Sequence, residues 1–403
     1  MKTERNRAVN MTDRIEAYIL RLVEKSTPEK TAWNMEKIRE GKPVRWNYID
    51  GCMLSALVSL SRITGNEVYA GFAEQVMDHF VREDGSILTL QPERRQLDDI
   101  NEGKVLFPVY ERTGKQKYRK AAETLHRLLK EQPRTTEGSF WHKKIYPNQV
   151  WLDGIYMAQP FEAQYQLTFG NGDLTDVIRQ VRTVHTRMRD PQTGLYYHGY
   201  DASRTTFWAD PETGLSKCVW LRALGWFTMA LADLTEILPA GSEREEIISL
   251  LRDLAESEAR YADPETGLYW QVVDQGARKG NYPESSGSAM IACAMLKGTR
   301  LGVLPAEFGS LGKKTFTSLA DRLTWKNDEP ELGGICLVAG LGPEENRRRD
   351  GSFDYYISEP VVSNDAKGVA PFVLCYTEML QAENHMCDPV DCSPTGSSVH
   401  GIL

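Results

Sequence analysis

The sequence predicts an all-α protein built as a six-hairpin α/α barrel, an (α/α)6 toroid. Three observations carry this expectation. Helical periodicity recurs almost without a break, the turns between periodic segments repeat one another, and one segment is apolar around its whole circumference.

Spacing of apolar residues at a period of 3.6 predicts helices near 12–25, 50–64, 67–82, 99–113, 116–131, 153–168, 173–188, 218–238, 242–261, 285–301, 305–322 and 367–383. Strand-like alternation is confined to short pieces after turns, such as Leu195-Tyr196-Tyr197-His198. Among the turns, Asp190-Pro191-Gln192-Thr193-Gly194-Leu195 and Asp263-Pro264-Glu265-Thr266-Gly267-Leu268 are near copies, and Asp210-Pro211-Glu212-Thr213-Gly214-Leu215 is a third. Looser relatives begin at Glu83, Glu137 and Asp350. Asp-Pro opens a turn with a fixed φ, and Gly supplies the positive φ that reverses the chain. Self-similarity at roughly 50–70 residues signals a repeat of helical hairpins. Six such hairpins close into a ring, with the aromatics that follow the turns rimming one mouth.

Segment 218–238 is the model for an inner helix. Val219, Ala223, Trp226, Ala230 and Leu234 form one stripe, while Leu221, Leu224, Phe227 and Leu231 fill the other faces. A helix apolar all round is buried. It nevertheless carries Arg222, one turn from Trp226, and a buried arginine needs a carboxylate or a ligand. Segment 153–168 contains Pro160, so that helix either kinks or begins late.

The bulk properties exclude several classes. With 403 residues, 41% hydrophobic and 26% charged, the chain has ample core for a single domain over 1–383, followed by a polar tail over 384–403 expected to be flexible. A net charge of −8, from 48 basic and 56 acidic side chains, argues against a nucleic-acid partner, and no phosphate-binding glycine loop is present. Seven cysteines are scattered without a C-x-x-C pair, so neither a disulfide frame nor a metal site is expected. His79, His126 and His185 read as single residues on polar surfaces. No apolar leader or membrane span is apparent, which predicts a cytoplasmic location, with no membrane partner and a monomer or weak homo-oligomer.

The chemistry concentrates in Phe140-Trp141-His142-Lys143 and Gln149-Val150-Trp151-Leu152-Asp153-Gly154, beside the apolar run Ile155-Tyr156-Met157-Ala158. A carboxylate wedged between a tryptophan and an apolar run is poorly hydrated, which raises its pKa and suits it to proton donation. Flat indole faces suit a pyranose ring. Asp153 is therefore a candidate acid, although a helix start also accommodates Asp as a cap. Leu97-Asp98-Asp99-Ile100 poses the same choice, but a cap needs only one Asp, leaving the other for the mouth. His142 and His198 each follow a turn among aromatics, as catalysts or as hydrogen-bonding partners. The nine tryptophans are core by default, with a bias towards hairpin starts.

Taken in order, these motifs resemble the unsaturated rhamnogalacturonyl hydrolases of glycoside hydrolase family 105, over roughly Met11 to Glu383. The carrying stretches are Trp46-Asn47-Tyr48, Leu97-Asp98-Asp99-Ile100-Asn101-Glu102-Gly103, Trp141-His142-Lys143 and Gln149-Val150-Trp151-Leu152-Asp153-Gly154. They continue with Tyr197-His198-Gly199-Tyr200-Asp201, Trp220-Leu221-Arg222-Ala223-Leu224-Gly225-Trp226 and Pro283-Glu284-Ser285-Ser286. The resemblance implies the six-hairpin barrel and an unsaturated oligosaccharide as substrate. It implies Asp153 as general acid/base and Asp98 as the second carboxylate. Tyr48, Trp141, His142, His198, Arg222 and Trp226 would line the sugar subsite. Many members read Trp-Ala-Arg-Gly-Asn-Gly-Trp where this chain has Leu221, Ala223 and Leu224, so an Asn side chain of the subsite is lost.

The implied reaction is hydration of the C4=C5 double bond of a terminal unsaturated galacturonic acid, followed by opening of the hemiketal and release of rhamnose. One acid protonates C4, and the resulting carboxylate takes a proton from the water that adds at C5. Asp98 would orient that water or hold Asp153 protonated, and Arg222 or a charged histidine would bind the uronate. No cofactor is required. The nearest rival is an unsaturated glucuronyl hydrolase on glycosaminoglycan fragments. A sugar epimerase would need His142 and His198 as facing bases, and a non-catalytic binder would have no use for both aspartates.

Overall fold

Six helices stand side by side in a closed ring, and the sequence segments that build them alternate with six that lie outside. The computed structural model describes residues 2–387, apart from residue 328. In chain order the helices are α1 (Lys2–Glu24), α2 (Met35–Glu40), α3 (Tyr48–Thr64), α4 (Glu67–Phe80), α5 (Asp98–Asn101), α6 (Leu106–Thr113), α7 (Gln116–Lys130) and α8 (Leu152–Thr168). They continue with α9 (Thr175–Met188), α10 (Leu221–Ile237), α11 (Ser242–Ala259), α12 (Ser285–Arg300), α13 (Ala306–Ala320), α14 (Phe353–Ile357) and α15 (Ala366–Cys387). A 3₁₀ turn, Glu102–Val105, joins α5 to α6.

The inner ring runs α3, α5–α6, α8, α10, α12, α15, each packing on the next and α15 closing onto α3. Helices α4, α7, α9, α11 and α13 back their inner partners, and α1 docks on α15, where Tyr376 donates to Glu16 at 2.9 Å. This is the expected six-hairpin toroid. The expected apolar circumference of segment 218–238 is met in α10, buried continuously from Leu221 to Ala232. Pro160 sits inside α8 without ending it. The last helix, α15, runs to Cys387, four residues past the expected helix end at 383 and into the start of the expected tail. From residue 388 the expected tail lies outside the described residues.

The Asp-Pro-x-Thr-Gly turns share one geometry. The Gly amide donates to the Asp carbonyl at 2.8, 2.8 and 2.7 Å, and the Thr hydroxyl donates to the Asp carboxylate at 2.7, 2.9 and 2.7 Å. Gly194, Gly214 and Gly267 take φ of 77°, 80° and 73°, a region glycine enters without strain. Two of these turns follow outer helices α9 and α11 and lead back to the mouth of the ring.

Eight short strands form four antiparallel ribbons among the described residues: β1 (Gln149–Trp151) with β2 (Gly199–Asp201), β3 (Tyr269–Trp270) with β4 (Pro283–Glu284), β5 (Leu323–Lys326) with β6 (Glu329–Leu332), and β7 (Ile335–Cys336) with β8 (Val361–Val362). The strand piece anticipated at 195–198 thus falls slightly later. A small apolar cluster of Tyr146, Trp151, Trp208 and Leu341, separate from the main core, ties the mouth loops together. Among the described residues, no helix is long and apolar enough to cross a membrane. His126 is not on a polar surface: it is buried, bonded to Glu162 at 2.8 Å and stacked on Tyr165 at 3.9 Å.

Candidate active site

Successive inner helices deliver their first residues to one place. Tyr48 opens α3, Asp98 opens α5 and Asp153 is second in α8, and all three line one cavity of about 360 Å³ at the ring's mouth. Helix N-termini carry partial positive charge, which favours carboxylates and anionic ligands there.

The local sequence explains each placement. In Trp46-Asn47-Tyr48, the Trp46 indole donates to the Asp99 carbonyl at 2.8 Å and anchors α5, while Asn47 caps α3 through Ile49 N at 2.8 Å. Tyr48 is left to face the cavity. Neither Asp98 nor Asp99 caps its helix: Leu97 occupies the cap position, and Asp99 accepts from Gln96 at 2.6 Å. Backbone pairing of Gln96 with Lys143, and the Leu97 amide on the His142 carbonyl at 3.1 Å, set Asp98 beside the Trp-His-Lys motif. The β1–β2 ribbon does the same for Asp153, with the Leu152 amide on the His198 carbonyl at 3.1 Å.

Asp98 Oδ2 pairs with Lys143 Nζ at 2.6 Å, and Oδ1 lies 3.6 Å from His142 Nε2. Asp153 Oδ2 lies 3.3 Å from His198 Nε2, an approach that falls short of an aligned hydrogen bond and leaves both atoms able to take another partner. His198 Nδ1 is fixed by the Tyr356 hydroxyl at 2.6 Å. His142 stacks on Trp151 at 4.4 Å, and Trp151 on Tyr146 at 4.9 Å, giving the cavity an aromatic wall. The glycine after Asp153 is needed for packing: a Cβ on Gly154 would lie 2.8 Å from Leu97 and 3.3 Å from His142 Nδ1.

The electrostatics correct one expectation. Burial pushes Asp153 up, as anticipated, but contact with His198 outweighs it and holds the carboxyl below its ordinary value. Asp98 is likewise pushed up by burial and held low by Lys143. His142 is itself driven down to about 4 by burial, so near neutral pH it is uncharged and Lys143 is the cation that keeps Asp98 ionised. Asp99, by contrast, is raised to about 6 by burial.

Of the expected site residues, Asp153, Asp98, Tyr48 and His142 line the cavity, and His198 stands behind Asp153. Trp141, Arg222 and Trp226 do not line it. Trp141 follows a backbone tied to Pro133 and Gln132. Trp226 is one helical turn deeper than Arg222 and stacks on Tyr156 at 4.6 Å within the ring. Arg222 is 1% exposed; its guanidinium donates to the Cys336 carbonyl and reaches Ser286 Oγ at 3.5 Å, so the partner it needs is a backbone oxygen. Sequence reasoning passed over Tyr356 and Arg349, the latter on the cavity wall, and gave Lys143 no role although it is part of the Trp-His-Lys motif.

A six-hairpin ring presenting two carboxylates and stacked aromatics at its mouth defines the class: a glycoside hydrolase. Residues 19–383 match the family model described as Glycosyl Hydrolase Family 88, and the chain belongs to that family. It is similar to a family 105 glycoside hydrolase from C. acetobutylicum ATCC 824, with 38% identity, a TM-score of 0.83, and coverage of 92% of this chain and 99% of that one. It is 41% identical over 232 residues to Protein Atu3128 of Agrobacterium fabrum, covering 56% of this chain and 98% of that protein. Over 264 residues it is 28% identical to the unsaturated rhamnogalacturonyl hydrolase YesR of Bacillus subtilis, covering 64% and 72% of the two chains.

Proposed function

We propose that this glycosidase hydrates the C4=C5 double bond of a terminal 4,5-unsaturated galacturonic acid linked to rhamnose. The observation that carries the reading is the placement of Asp153 and Asp98 in one cavity, with an oxygen of Asp153 lacking a partner. Similarity to the Bacillus subtilis rhamnogalacturonyl hydrolase supports the sugar.

Ordinary glycosidases protonate the glycosidic oxygen and set two carboxylates about the anomeric carbon. An enol ether needs one acid at C4, and the cation that develops at C5 is stabilised by the ring oxygen. Asp153 is ionised in the free site and takes up its proton as the sugar enters, because a bound ring that strips its remaining water favours the neutral form. It then protonates C4 and, once ionised again, accepts a proton from the water that adds at C5. Asp98, kept ionised by Lys143, orients that water. His198, pinned by Tyr356, orients Asp153, while His142, neutral and stacked on Trp151, and Tyr48 border the sugar. The hemiketal opens and releases rhamnose and the keto form of the uronate. The same reading makes the chain a single-domain cytoplasmic enzyme of pectin degradation.

Decay of the enol-ether absorbance of unsaturated galacturonyl-rhamnose, with release of rhamnose, is the expected result. Decay only on an unsaturated chondroitin disaccharide would replace it with the glucuronyl reading. No decay on either would overturn hydration.

A further inference from the structure

One guanidinium on the cavity wall has no role in the reaction as derived. Arg349 is half-buried on the segment between β7 and α14 and lines the cavity together with Trp151, Tyr146, Val338 and Ala339. Its Nη1 and the Trp151 ring close on one point, since a Cβ built on Gly340 would lie 3.4 Å from each. The absent side chain at Gly340 leaves the space between the two open. The backbone is fixed as well: the Arg349 carbonyl accepts from Gly342 at 2.8 Å, and its amide donates to Asn346 at 3.1 Å.

The other cations on the lining are engaged. Lys143 holds Asp98 at 2.6 Å and Lys37 holds Glu40 at 2.9 Å. Arg45 donates to the Thr89 carbonyl at 3.3 Å, and Arg94 to Gln91 at 3.4 Å, both at the exposed rim. The neighbours Arg347 and Arg348 pair with Glu344 and Glu359 at 3.0 and 2.9 Å, whereas the Arg349 side chain has neither ion pair nor hydrogen bond among the described residues. An unpaired, half-buried guanidinium on the same cavity wall as an indole is prepared for a planar anion, which it can hold through two parallel bonds. Arg222 is differently placed. It is sealed inside the ring and bonded to the carbonyl of Cys336, the residue at which the segment carrying Arg349 leaves β7.

We propose that Arg349 binds the carboxylate of the unsaturated uronate, and that Arg222 is a positioning residue tying the Arg349 segment to the barrel. This rests on the hydration reading above. Arg349, Trp151 and Asp153 line one cavity, so a uronate held there lies in the same space as the carboxyl at the start of α8.

The test is steady-state kinetics on unsaturated galacturonyl-rhamnose and on its uronate methyl ester. The wild-type enzyme is expected to prefer the acid. Arg349→Gln is expected to raise KM for the acid by about 10-fold or more, the worth of a bond to a charged group, to leave kcat within a few-fold, and to abolish the preference over the ester. Arg349→Lys restores part of it. Arg222→Gln is expected to lower kcat while the acid preference survives. Preference retained in Arg349→Gln overturns the proposal, and preference lost only in Arg222→Gln returns the carboxylate to Arg222. Should Arg222→Gln not fold, the Arg349 variants still decide. A wild-type enzyme inactive on both substrates overturns the hydration reading and this proposal together, an outcome distinct from an active enzyme whose preference ignores Arg349.

Discussion

Asp153 sits between opposing influences, and the histidine beside it prevails. Replacing Asp153 with Asn keeps the volume and removes the proton, so turnover is expected to fall by about 100- to 10,000-fold while the melting temperature is maintained. Near-normal turnover would remove Asp153 from the chemistry. The second test exploits the balance itself. Because the reacting form is protonated, kcat/KM should decline as pH rises past the Asp153 pKa. In His198→Phe burial acts unopposed by its neighbour, and the declining limb should move to higher pH. A limb that stays in place would show that His198 does not set the protonation of Asp153. The identity of Asp98, Asp153, Tyr48 and His142 as cavity residues was legible from motifs. The sign of the Asp153 shift was not, because His198 is brought to it by a ribbon joining residues 149–151 and 199–201. Arg349 was hidden in the run Arg347-Arg348-Arg349, which reads as solvated charge until the fold turns one member inward.

Among the elements, the start of α8 is the most tightly constrained. Gly154→Ala pushes a methyl to 2.8 Å from Leu97, the residue before Asp98, and forces the two carboxylate-bearing helices apart. Overpacking of this kind costs about 1–3 kcal/mol, so a lowered melting temperature with a larger loss of activity is expected. Unchanged thermal unfolding would mean that Leu97 gives way freely. The long helices were readable because each spans enough turns to display its period. The region from 323 to 365 was not, since its strands are two to four residues long and too short for a period to show. His126 was misread because Glu162, its buried partner, lies on the next inner helix, α8.

For the molecule as a whole, the seam between inner and outer rings holds a titratable group. Glu258 on α11 accepts from Thr228 on α10 at 2.6 Å, its other oxygen has no partner, and burial pushes it up to about 8. The folded state therefore keeps a proton that the unfolded chain releases near the ordinary carboxyl value. This contribution to stability is complete below that value and is lost as pH rises through about 8. Glu258→Gln should melt above the wild type at about pH 8.5, with the gap closing towards about pH 5. Parallel curves would place the proton elsewhere. Ring closure itself was foreseeable from six repeats, but not which face of each helix meets its neighbour.

Tyr146, Trp151, Trp208 and Leu341 give the mouth a foundation separate from the ring beneath it. A wall that stands on its own footing can be rebuilt while the building stays up. Insertions or exchanges in the segment after β7 would meet this small cluster first, before any helix of the ring. A lineage can therefore retune how the sugar is gripped by editing the rim, while the acids at the helix ends are inherited unaltered.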